Sequence, residues 1–422
     1  MKFKKIISST LCCFFIIFVG TSMPVKATNN KIIEAKYNLV TEVFDYGQQV
    51  SKIVIDSDTT IKGSTINKDT FLVIAKNELN EQKMDEAKRN ITNVYVSDKV
   101  SGKPTDSGEY IILELEHGAS VAEASTLFWD FMKFSNSPLD LKYYVTQNYP
   151  IEDINGNQIN KNNFKLSMNG VNNLLVDDLK KATSKSGLNY RYFEPKKDFK
   201  KKPLIIWLHG AGEGGTNNTT QITGNRGGVA FITEDVQKKF GGAYVIAPQC
   251  PTFWMQSFFH LTGDKDYTQD LIDLIKEYMH NNPDIDSTRV YIGGCSMGGY
   301  QTLKTVVADP DLFASAFPIC PAYEPTHEEL DKLGNLPIWF THAKSDPTVP
   351  YTNSKNAYEY LDQISDSVNY SEYETVTYGG INYYGHSSWI YVLNNDPVNE
   401  QGQHIFDWLS KQVNVNGHRW QN

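Results

Sequence analysis

Apolar residues along this chain fall into two different rhythms. Between residues 28 and about 165 they alternate with polar ones: Ile53 and Ile55, Phe71 and Val73, Val94 and Val96, then Ile111, Leu113 and Leu115. A period of two places one face of each strand on a core. Polar turns such as Asp56-Ser57-Asp58 and Ser101-Gly102-Lys103-Pro104 separate the strands. Several short strands so punctuated predict a small β-sandwich. The aromatic run Leu127-Phe128-Trp129-Asp130-Phe131-Met132 breaks the alternation. We assign it to core, or to the contact with the next domain, in preference to a binding surface.

From about residue 170 the apolar residues come in continuous runs: Leu204 to Leu208, Ala243 to Ala247, Val290 to Ile292, Phe317 to Ile319 and Ile338 to Phe340. Such runs suit strands buried on both faces. Helical spacing lies between them. Leu271, Leu274, Ile275, Tyr278 and Met279 share one face of a segment that stops before Pro283, and a second segment starts after Ser296 and ends at Asp309-Pro310. Strands alternating with helices predict an α/β fold, doubly wound around a mostly parallel sheet. The expected organisation is a leader over 1–27, a β-sandwich over 28–165 and an α/β domain over 166–422.

The leader is read from Lys2, Lys4 and Lys5, the apolar stretch Leu11 to Val19, and Val25-Lys26-Ala27, a cleavage pattern that signal peptidase accepts. The apolar stretch is short for a membrane span, so the expectation is a secreted protein with no stable membrane anchor. With 40 Lys+Arg against 49 Asp+Glu the net charge is −9, and no basic run offers a footprint for nucleic acid. Cys250, Cys295 and Cys320 remain after the leader, each at the end of an apolar run. They read as small buried hydrophobes, and one bridge between neighbouring strand ends stays open. Neither H-E-x-x-H nor C-x-x-C occurs, so no metal and no cofactor is expected.

Gly294-Cys295-Ser296-Met297-Gly298 is a G-x-S-x-G motif, weak alone but set between a strand-like run and a helix, as a nucleophile elbow requires. Glycines let the two backbones of such a turn approach, while the serine is held strained and exposed. His209-Gly210-Ala211-Gly212-Glu213-Gly214-Gly215 ends the first buried run. It lacks phosphate-loop spacing, and Glu213 would repel an anion. As a hydrolase loop it places the Ala211 N–H beside that of Met297, two candidate donors to an oxyanion. The acid and base of such a site follow the serine in chain order. Asp346 lies just past the run Ile338 to Phe340, and His386 in a loop after the alternating segment Tyr373 to Thr377. His404 reads as helix surface, His418 as tail and His342 as structural. Trp389 and Trp254 are candidate substrate contacts.

Taken together, these motifs resemble secreted α/β-hydrolase carboxylesterases that carry an immunoglobulin-like domain ahead of the hydrolase. The resemblance rests on Pro203 to Glu213, Gly224-Asn225-Arg226-Gly227, Ala247-Pro248-Gln249-Cys250-Pro251, Gly294 to Gly299, Asp346, and Gly385-His386 with Trp389. It covers residues of about 170 to 415 with specific motifs, and the N-terminal part by strand pattern and position. It implies a Ser296-His386-Asp346 triad acting through an acyl-enzyme on small or polymer-borne esters. The core is also similar to feruloyl and acetylxylan esterases, polyhydroxybutyrate depolymerases and prolyl-oligopeptidase-like peptidases. Two rivals stay open: a serine peptidase of that last group, for whose propeller the N-terminal part is too short, and an exported polysaccharide-binding protein on a hydrolase scaffold. The expected kcat/KM rises with pH as His386 loses its proton, with a midpoint near ~6–7.

Overall fold

A computed structural model describes residues 32–258, 261–263, 265–415 and 418–421. The expected leader lies outside the described residues.

The N-terminal part is built on a five-stranded sheet in the order Phe164–Asn173, Ile33–Phe44, Gly47–Lys62, Ser107–Leu115, Ile91–Ser97. A three-stranded sheet of Tyr143–Gln147, Phe71–Ala75 and Ala87–Arg89 faces it. The alternation works as the period predicts: Ile53, Ile55, Val73, Val96, Ile111 and Leu113 are all completely buried in the core between them. Arg89 crosses this core, donating to Val50 O at 3.1 Å, to Glu116 O at 2.7 Å and to the Tyr143 hydroxyl. Strand Phe164–Asn173 runs parallel to Ile33–Phe44 from Ile33↔Phe164 to Thr41↔Asn173. It is an integral edge of the first sheet, so we place the end of that domain after Asn173, beyond residue 165.

The second part carries an eight-stranded sheet. Its strands are β1 (Lys180–Thr183), β2 (Asn189–Phe193), β3 (Lys202–Leu208), β4 (Tyr244–Gln249), β5 (Ile285–Cys295), β6 (Ser315–Ile319), β7 (Ile338–Ala343) and β8 (Val368–Tyr373). They lie in the order β1-β2-β4-β3-β5-β6-β7-β8. From β4 to β8 every pairing is parallel, while β1 and β2 are antiparallel additions at one edge. This is an α/β-hydrolase sheet, with a separate apolar core on each face. The helix Thr268–Asn281 buries Leu271, Leu274, Ile275 and Tyr278 as their spacing requires. The segment Tyr373 to Thr377 is not one strand: β8 ends at Tyr373 and a short hairpin strand begins at Thr377.

The two domains meet along the turn after Ile33–Phe44. Asp45 Oδ1 accepts from Asn394 Nδ2 at 2.9 Å and lies 3.6 Å from Arg226 Nη1, which also bonds Asn394. A second contact comes from a hairpin, Leu127–Asp130 paired with Ser135–Pro138. Its Trp129 ring sits against Gly212 so closely that a Cβ there would lie 2.8 Å from it.

Candidate active site

Strand β5 ends at Cys295, and the helix Met297–Ala308 starts one residue later. The turn between them is Ser296 alone, at φ 58° and ψ −115°, a conformation an L-residue holds only when its surroundings impose it. The imposition is visible. Ser296 N donates to Ile319 O at 2.9 Å, and its carbonyl accepts from Tyr300 N and Ala322 N. The flanking glycines are needed for close approach, since a Cβ on Gly294 or Gly298 would lie 2.4 or 2.1 Å from Leu208 O.

Past β7, Asp346 Oδ1 accepts from Thr348 N at 2.8 Å and Val349 N at 2.9 Å, which aims the other oxygen inward. His386 Nδ1 lies 2.6 Å from that oxygen, Oδ2, and its Nε2 lies 2.8 Å from Ser296 Oγ. Nδ1 therefore carries the proton, and Nε2 accepts from the serine hydroxyl. Both ends are shielded, with Ser296 6% and His386 8% exposed. Burial alone would raise the Asp346 pKa, but hydrogen bonds from His342 and His386 hold it well below the carboxylate range. Burial disfavours the His386 imidazolium, yet the Cys320 sulfur and the Asp346 carboxylate outweigh it and raise the pKa.

Of the two expected oxyanion donors, Met297 follows Ser296 in the chain and Ala211 lines the same cavity. Met297 is the first helical residue, so its N–H has no acceptor within the helix. Ala211 opens a single 3-10 turn, Ala211–Glu213, after β3. That turn is held by His209, whose Nδ1 donates to Gly210 O at 2.6 Å while Nε2 accepts from Cys250 N at 3.0 Å. Burial pushes the His209 pKa down to about 4, so the ring stays neutral.

A cavity of about 350 Å3 opens over these groups. Ala211, Ser296, His386 and Trp389 line it from the hydrolase domain, and Trp129, Phe131 and Phe134 from the N-terminal hairpin. The aromatic run at 127–132 is thus not core: Phe131 and Met132 are 74% and 77% exposed, and the run makes the interdomain contact instead. Trp389 stands edge-on to His386, 5.5 Å between centroids. Trp254, the other expected substrate contact, is not at the cavity. It is 1% exposed and packed between His209 and Tyr267, because its loop folds back over the core. A larger cavity of about 660 Å3 lies beside β8, with no histidine or cysteine among its lining residues.

Two residues gain roles that the sequence reading did not give them. His342, fully buried, brings Nε2 to 3.1 Å from Asp346 Oδ2 and Nδ1 to 2.8 Å from Ser354 Oγ. The Glu213 side chain reaches the Gly210 and Gly224 backbones, and burial pushes its pKa up to about 7. Cys250, Cys295 and Cys320 are buried thiols, none of them in a disulfide among the described residues. Cys320 Sγ, Asp346 and His386 hold ligand atoms within 4.8 Å of one another. The imidazole and carboxylate are already engaged with each other, and Cys320 Sγ donates to His386 O at 3.3 Å. His404 caps the helix Ile405–Leu409, its Nδ1 2.7 Å from Asn395 O.

Comparison with known proteins agrees with this architecture in both parts. Residues 36–160 match the family described as esterase Ig-like N-terminal domain, and residues 261–389 match phospholipase/carboxylesterase. The crystal structure of a thermostable esterase superposes with a TM-score of 0.75 at 31% identity, over 89% of this chain and 99% of that one. A ferulic acid esterase from Anaeromyces mucronatus matches at 17% identity and TM-score 0.36, over 46% of this chain and 82% of its own. An acylaminoacyl peptidase from Pyrococcus horikoshii matches at 16% and 0.34, over 48% and 37%. No match was found among curated proteins.

Proposed function

Because this chain belongs to the α/β-hydrolase carboxylesterases that carry an esterase Ig-like N-terminal domain, and is a carboxylic ester hydrolase, we propose that it is an exported serine esterase using Ser296, His386 and Asp346. The observation that carries this reading is the continuous hydrogen-bonded line from Asp346 Oδ2 through His386 to Ser296 Oγ, at 2.6 and 2.8 Å.

Ser296 Oγ attacks the ester carbonyl while His386 Nε2 takes its proton, and Asp346 stabilises the imidazolium that forms. The Ala211 and Met297 N–H groups receive the negative charge that develops on the carbonyl oxygen. Collapse of the tetrahedral adduct passes the proton from His386 to the departing alcohol and leaves an acyl-serine. A water deprotonated by His386 then releases the acid and restores the serine. The chemistry uses side chains and backbone only. Export rests on the leader pattern of residues 1–27.

Hydrolysis of p-nitrophenyl esters from acetate to long chains, by wild type and Ser296→Ala together, tests the reading. Turnover abolished in the variant supports it. Equal turnover in both overturns it, and cleavage of a prolyl p-nitroanilide with no ester turnover would favour a peptidase.

A further inference from the structure

We infer that Glu213 is a positioning residue that fixes the Ala211–Glu213 turn, wedging its side chain between the Gly210 and Gly224 backbones. The inference rests on the Ser296 reading above and concerns the same site.

The wedge is geometric. A Cβ on Gly224 would lie 2.5 Å from Glu213 Cγ and 2.7 Å from Oε1, and one on Gly210 would lie 3.2 Å from Oε2. The side chain therefore fills the space between Gly210, at the end of β3, and the Gly224 segment. Gly224 has an ordinary helical backbone, φ −68° and ψ −29°, so its lack of a side chain answers to this contact and not to conformation. Glu213 also ties the turn through its carbonyl, which accepts from Thr220 Oγ1 at 2.8 Å and Gln249 Nε2 at 3.0 Å. With Ser296 and His386 it lines the same cavity.

Burial makes ionisation of the Glu213 carboxyl harder than for a free glutamate. Burial raises the pKa against the Gly210 and Glu213 N–H groups and the His386 ring, which all pull the other way. The elbow presents the Cys295 thiol, whose pKa is raised chiefly by burial. His209 is neutral, and Arg226 beyond Gly224 is committed to Asp45. Among the described residues Glu213 has no ion pair with lysine or arginine. The wedge depends on the volume of the side chain and not on its charge.

The test compares wild type, Ser296→Ala, Glu213→Ala, Glu213→Gln and Gly224→Ala on p-nitrophenyl acetate, with a trifluoromethyl ketone as a probe of the tetrahedral adduct. Loosening the turn in E213A should lower kcat by roughly 10- to 100-fold with KM within about threefold. Inhibitor affinity should fall in proportion to kcat/KM, as expected when only the transition state loses stabilisation. E213Q, which fills the same space without ionising, should recover most of the loss. G224A should resemble E213A by expelling the side chain, and add less than about twofold when combined with it. Wild-type kcat in E213A overturns the inference, as does an E213Q as impaired as E213A. Should E213A not fold, G224A and E213Q decide alone: impairment in the first with activity in the second supports the wedge, and any other combination overturns it. Full turnover by S296A would remove the nucleophile reading and this inference with it. An inactive S296A beside an unaffected E213A would remove the inference alone.

Discussion

His342 and His386 converge on one oxygen: Asp346 Oδ2 lies 3.1 Å from His342 Nε2 and 2.6 Å from His386 Nδ1. Nε2 of His342 faces two acceptors, Asp346 Oδ2 and Val349 O, so it carries the proton, and Nδ1 accepts from Ser354. The carboxylate is thus held by a second imidazole that never meets substrate. Replacing His342 with alanine strips the acid of this donor and leaves the Ser354 hydroxyl unpaired in the core. We expect a loss of about 1–3 kcal/mol in urea unfolding, with kcat falling as well. An H342A protein as stable and active as wild type would show that His386 alone fixes the acid.

The pH profile follows from what surrounds His386, the Cys320 sulfur first and the Asp346 carboxylate after it. The His386 pKa is raised, so the general base is freed only above the ordinary histidine value of ~6.5. The expected kcat/KM therefore rises with pH to a midpoint above the ~6–7 inferred from sequence. Asp346→Asn removes the negative charge and should lower both the midpoint and, by roughly 10⁴-fold, kcat. A pH–rate series from 5 to 10 on both proteins checks the sign. A midpoint unmoved by D346N would separate His386 from Asp346.

The hairpin of the N-terminal domain brings Trp129 onto Gly212 and into the cavity wall. Trp129→Ala should lower kcat/KM by roughly 5- to 30-fold, equal to ~1–2 kcal/mol, from lost apolar contact with substrate and turn. Kinetics across the acyl series would locate the effect. Uniform rates in W129A and wild type would leave the hairpin a spacer.

Away from the site, Thr326 and Glu329 form a reciprocal capping box at the helix His327–Leu333. Thr326→Ala should cost about 1 kcal/mol of stability, within a range of ~0.5–2, and leave kcat at the wild-type value. Denaturant midpoints and steady-state rates measured together check both halves of that expectation.

What the sequence made legible was whatever repeats along it. The continuous run Leu204 to Leu208 and the flanked Ser296 announced a parallel sheet and its elbow, because burial on both faces and a tight turn constrain adjacent residues. The order serine, acid, histidine then left few choices, and the structure brings Asp346 and His386 together with Ser296. Relations between distant segments left no such trace. Nothing near Glu213 signals that Gly224 will clear space for it, and nothing near Trp129 signals Gly212. Trp254 misled because an aromatic residue in a loop looks the same whether the loop faces the cavity or the core. Strand Phe164–Asn173 crossed the expected boundary because its partner, Ile33–Phe44, lies at the other end of the domain.

The hairpin's place in the cavity wall also bears on the order of synthesis. Trp129, Phe131 and Phe134 leave the ribosome well before β3, the elbow and His386. The early-made domain must present bare aromatic rings until the later one closes on them, a period in which they are open to unproductive association. Esterase competence therefore waits for His386, and termination between Asn173 and His386 should yield a silent product that still displays those rings.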